Sequence, residues 1–65
     1  MNKIETTMVI KKMYAVAKEM SSLATIMTTL DIDDDEAWKK HGAQLMGASD
    51  ILKGWGDVLK EKYDQ

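Results

Sequence analysis

The stretch LDIDDDEA, residues 30–37, decides the fold. A helical apolar pattern stops here and acidic residues crowd together. Asp33 reads as the N-cap of a following helix, and Glu36, three residues on, completes a capping box. Ile32 and Ala37 take the flanking positions of a hydrophobic staple. Asp34, Asp35 and Glu36 fall in the first turn, where the helix dipole favours negative charge. Asp31, Asp33 and Asp35 also have the spacing that opens a calcium loop. The rest of that motif is missing, because Glu36 stands where its glycine belongs and Gly42 where its bidentate glutamate belongs. Capping accounts for the whole stretch, so no metal and no other cofactor is expected.

On either side of this stretch the apolar residues form two heptad stripes. Before it, Val9, Met13, Val16, Met20, Leu23, Met27 and Leu30 recur at steps of four and three. After it, Trp38, His41, Leu45, Ala48, Leu52, Trp55 and Leu59 recur at steps of three and four. That is the a/d spacing that keeps one helical face turned toward a partner helix. Folding the chain back pairs Leu30 with Trp38, Met27 with His41, Leu23 with Leu45, Met20 with Ala48, Val16 with Leu52, Met13 with Trp55 and Val9 with Leu59. One antiparallel register satisfies every layer. The expectation is an all-α, coiled-coil-like antiparallel two-helix hairpin. It makes one domain over residues 1–65, with a helix at about 3–29, a turn at 31–35 and a helix at about 34–63.

Beside each stripe runs a second column. Ile10, Ala17 and Ala24 on the first helix face Gly56, Ser49 and Gly42 on the second, a seam of small residues that lets two backbones approach. Gly47 and Gly54 lie on the outer side of the second helix. There they either weaken it or admit a partner. The second helix also carries Ala37, Ile51 and Val58, so its apolar arc is wider than a two-stranded pair needs. Two hairpins would bury that excess as a four-helix bundle, and a homodimer is expected.

Composition narrows the function. A chain of 65 residues buries a modest share of its surface, and it has no cysteine to staple it. Net charge is −2, with all 9 basic residues lysine and 11 acidic residues. Without arginine, bidentate reading of phosphate or guanine lacks its preferred side chain. Lys11 and Lys12 interrupt any N-terminal apolar run, and the uncharged run from Met20 to Leu30 is too short to span a bilayer. A soluble, cytoplasmic protein with no membrane contact is expected. His41, Trp38 and Trp55 read as core. The lone histidine has no second histidine or cysteine to work with, so an enzyme is not expected.

Two surfaces then compete for a role. Ser21, Ser22, Thr25 and Thr28 leave the outer side of the first helix uncharged for three turns. They are the candidate contact for an unidentified protein partner of a non-enzymatic adaptor, chaperone or inhibitor, of the kind many phage-encoded regulators represent. Lys11, Tyr14 and Lys18 form a basic and aromatic patch, the alternative face for nucleic acid. A short hairpin tied by Leu30, Asp31 and Asp33 and dimerising into a four-helix bundle resembles the plasmid copy-number regulators of the Rop type. That resemblance implies a dimer whose first helices bind paired RNA hairpins. Lys3, Lys11, Tyr14 and Lys18 loosely echo the basic and aromatic face of that family.

Overall fold

The computed structural model describes residues 2–30 and 36–63. Helix α1 runs Lys3–Thr29 and helix α2 runs Glu36–Tyr63, and the two pack against each other as a hairpin. The expected cap at Asp33, the staple residue Ile32, the acidic triplet Asp31, Asp33 and Asp35, and the expected first helical residues 34 and 35 lie outside the described residues.

Helix α1 begins at a capping box that the stripe analysis did not single out. The Asn2 side chain accepts a hydrogen bond from the Glu5 backbone N–H at 2.8 Å, and Glu5 Oε2 accepts one from the Asn2 N–H at 3.4 Å. Two of the otherwise unpaired donors at the helix start are thereby satisfied. Thr6 adds a third tie, its hydroxyl donating to the Asn2 carbonyl at 2.9 Å. At the other end the Leu30 N–H closes the last turn on the Ile26 carbonyl at 2.9 Å. Leu30 itself is extended, so the chain leaves the helix there.

The register follows from contacts at opposite ends of the hairpin. Close to the turn, a Cβ placed on Gly42 would lie 3.1 Å from the Ala24 carbonyl oxygen and 3.0 Å from the Met27 Cβ. Toward the termini, the Tyr14 ring lies over Gly56, 3.1 Å from where a Cβ would stand. Gly56 thus meets the Tyr14 ring, which reaches across beside the buried Ile10.

What the helices bury between them is the small-residue seam. Thr6, Ile10, Ala17 and Ala24 of α1 and Gly42, Ser49 and Gly56 of α2 are buried, and Ala24 is 0 % exposed. The heptad stripes are not enclosed. Met13, Met20 and Met27 and Leu45, Leu52 and Leu59 flank the seam half-buried. Val9, Val16, Leu23, Leu30, Trp38 and Trp55 are exposed, Leu23 by 51 % and Trp55 by 60 %. The expected core positions of His41, Trp38 and Trp55 are corrected on this point: all three face solvent in the single hairpin. The physical reason is size. Glycine, serine and alanine let the backbones come together along the seam, and this rotates the bulkier stripes out to one side. Among the described residues no large side chain is fully buried.

Candidate functional site

In an antiparallel pair, positions offset from the seam in the same rotational sense lie on the same face of the hairpin. One sense carries both stripes. Val9, Met13, Val16, Met20, Leu23 and Met27 thus share a face with Leu45, Ala48, Leu52, Trp55 and Leu59. His41 sits among them, exposed, with its Nδ1 3.3 Å from Gln44 Oε1. This face runs the length of a molecule measuring 48 × 14 × 14 Å. Among the described residues it holds no ionisable side chain other than His41 between its two stripes.

The opposite sense carries a polar face, and residues from both helices meet there. Lys11 and Tyr14 share a groove with Lys60. One heptad further, Lys18, Ser21 and Ser22 share another with Ser49, Asp50 and Lys53. The Tyr14 hydroxyl donates to Asp57 Oδ1 at 2.5 Å across the seam. That hydrogen bond holds the phenol above its ordinary value near 10.0, and partial desolvation and the Asp57 charge act in the same direction. Tyr14 is thus committed twice, its ring to Gly56 and its hydroxyl to Asp57. It braces the hairpin while its ring stays half-buried beside the groove.

The four hydroxyl residues are divided between exposed and half-buried positions. Ser21 is half-buried, its Oγ 3.4 Å from Met46 Sδ on α2. Thr28 is half-buried against Gly42, its methyl 2.7 Å from where a Cβ on that glycine would stand. Ser22 and Thr25 are exposed. Three threonine hydroxyls turn back on their own helix: Thr25 donates to the Ser21 carbonyl at 3.0 Å, Thr28 to the Thr25 carbonyl at 3.1 Å, and Thr29 to that same carbonyl at 2.7 Å. Back-bonding of this kind satisfies the hydroxyl without a partner. Of the sequence candidates, Lys11, Tyr14, Lys18, Ser21 and Ser22 line the grooves of the polar face. From the sequence, their counterparts on α2, Lys53, Asp57 and Lys60, read as alternating charge columns of a solvated face and are not joined to the patch on α1. The signal was present as two lysines a heptad apart, but only the register puts them opposite Lys18 and Lys11.

Among the described residues no cluster of histidine, cysteine and carboxylate side chains could hold a metal ion, and no helix is long and apolar enough to cross a membrane. Comparison with protein-family models, with curated proteins and with solved structures gives no match.

Proposed function

We propose that this chain is a non-enzymatic interaction module acting as a homodimer. Two hairpins close their apolar faces on each other into a four-helix bundle and turn their polar faces outward toward a further partner. The observation that carries the reading is the exposed double stripe. An apolar face of this length, interrupted only by His41 among the described residues, marks an interaction surface rather than ordinary scatter of apolar side chains.

Area supports the same occupant. A compact monomer of 7.3 kDa exposes about 4,200 Å². The chain exposes 5011 Å², an excess of roughly 800 Å². One partner in a standard-size interface buries about 800 Å². A second copy supplies a matching apolar face of equal length, since an isologous contact uses one patch on both subunits. The wide arc on α2 fits a bundle as well. Ile51 and Val58 are exposed at its edge, where a third and fourth helix would cover them.

Sedimentation equilibrium at micromolar concentration tests the reading, and a dimer is expected. Leu23→Lys provides the contrast. On a monomer the site is surface, and the change should move stability by under about 0.5 kcal/mol. In the closed bundle it places an unpaired ammonium in an apolar contact, at a cost of several kcal/mol. The variant should therefore sediment as a monomer. A parent chain that stays at 7.3 kDa across this range sinks the proposal.

A further inference from the structure

We infer that the polar face takes an acidic helix of a partner protein, laid along the seam with two carboxylates one heptad apart. One carboxylate sits between Lys11 and Lys60, and the other between Lys18 and Lys53. Resting on the interaction module proposed above, this docking names its partner and needs only a single hairpin.

The polar face holds two hollows, each built across the seam by both helices. Buried Ile10 lies at the base of the one nearer the termini, with Lys11 and Lys60 at its rim. Buried Ala17 and Ser49 lie at the base of the other, with Lys18, Lys53 and Asp50 at its rim. Tyr14 crosses the seam between them, its ring over Gly56 and its hydroxyl on Asp57. Lys11 and Lys18 are seven residues apart, and so are Lys60 and Lys53. The lysine pairs therefore repeat at about 10.5 Å, a heptad at 1.5 Å per residue. A partner helix returns a side chain to the same face at that interval, so it sets one carboxylate in each hollow. An extended strand covers the distance in about three residues, and its two side chains then point to opposite faces. The spacing selects a helix.

Charge selects the sign of that helix. Four lysines and two aspartates stand along the two hollows, and Asp57 already accepts the Tyr14 hydroxyl. Lys12, Glu19, Lys40 and Glu61 occupy the far sides of the helices. Lys3, Glu5, Glu36, Lys39 and Lys62 lie toward the ends of the hairpin, so the balance along the hollows stays positive. The two aspartates also separate this partner from nucleic acid. A phosphate backbone carries a charge at every nucleotide and would meet both of them. Carboxylates a heptad apart meet the lysine pairs, with Asp57 between them and Asp50 to one side.

Fluorescence anisotropy with labelled, alanine-rich helical peptides tests this. One peptide carries two glutamates a heptad apart, and a second of the same composition carries them one turn apart. The first should bind roughly fivefold more tightly, the worth of one well-placed exposed charge contact. Its binding should weaken as salt is raised. Lys18→Glu with Lys53→Glu changes exposed positions and should keep the helicity of the chain while losing that peptide. Replacing one glutamate of the peptide by lysine should restore binding to this double variant. Equal binding of the two peptides, or no restoration, overturns the docking. So does the absence of binding by either peptide, or tighter binding of single-stranded poly(U) at the same salt. Sedimentation of the same samples keeps the two proposals apart: a monomer that still discriminates the peptides sinks the dimer and leaves the docked helix standing.

Discussion

Gly42 and Gly56 differ from Gly47 and Gly54 in what a methyl group would meet. A Cβ on Gly42 would press the Thr28 methyl and the Ala24 carbonyl, and one on Gly56 would press the Tyr14 ring, whereas Gly47 and Gly54 have nothing within 4 Å. Glycine inside a helix costs about 1 kcal/mol relative to alanine. The first pair offsets that cost by letting the helices approach, and the second pair has no such compensation in the hairpin. Gly56→Leu should destabilise by about 1–3 kcal/mol through overpacking against Tyr14. Gly47→Ala and Gly54→Ala should each stabilise by up to about 1 kcal/mol, a rise of roughly 4–8 °C in a domain this small. Thermal unfolding of the three variants at one protein concentration decides the matter, and a Gly56→Leu chain as stable as the parent refutes the seam.

Tyr14 yields a prediction with a definite sign. Its folded-state pKa lies above the unfolded value near 10.0, chiefly because the neutral phenol donates to Asp57. The contribution to stability is fully present below the unfolded pKa and is lost as pH rises through the folded one. Phenolate absorbance, taken as the difference between the parent and Tyr14→Phe, should show a late titration. Asp57→Asn should move it earlier by removing the negative charge. An unchanged titration in that variant removes Asp57 as the cause.

At the scale of the element, both ends of α1 are held locally. The Asn2 and Glu5 reciprocal bonds fix its start, so Asn2→Ala should cost about 0.5–2 kcal/mol, read as lost helicity and a lower unfolding midpoint. Asn2→Asp, which keeps an acceptor at the cap, should recover most of it. The pattern of asparagine with glutamate three residues later was legible in the sequence and marks a helix start as clearly as Asp33 and Glu36 do. Near the other end, Thr25, Thr28 and Thr29 turn their hydroxyls onto carbonyls one turn back, which explains how α1 carries this uncharged stretch without unpaired polar groups. Sequence alone shows that charge is absent there and leaves open where each hydroxyl points.

At the scale of the whole molecule, the hairpin has a thin core and a broad apolar face, and the proposed second copy unites these two facts. Its stability should then depend on protein concentration, because association is linked to folding. The melting temperature should rise with each tenfold increase in concentration for the parent and stay flat for Leu23→Lys. A parent midpoint independent of concentration refutes the linkage.

The heptad stripes, the acidic break at residues 31–36 and the matched spacing on either side determined two helices folded antiparallel, because residue spacing sets which side of a helix is apolar. The small columns of Ile10, Ala17 and Ala24 and of Gly42, Ser49 and Gly56 were legible too. What only the tertiary structure decided is which column sits at the centre. A helical wheel ranks positions by hydrophobicity and places the stripes inward. The packed hairpin ranks them by how closely backbones can approach, and glycine and alanine win that competition. His41, Trp38 and Trp55 therefore lie outside, and Tyr14 turns from a free aromatic surface into a brace between the helices.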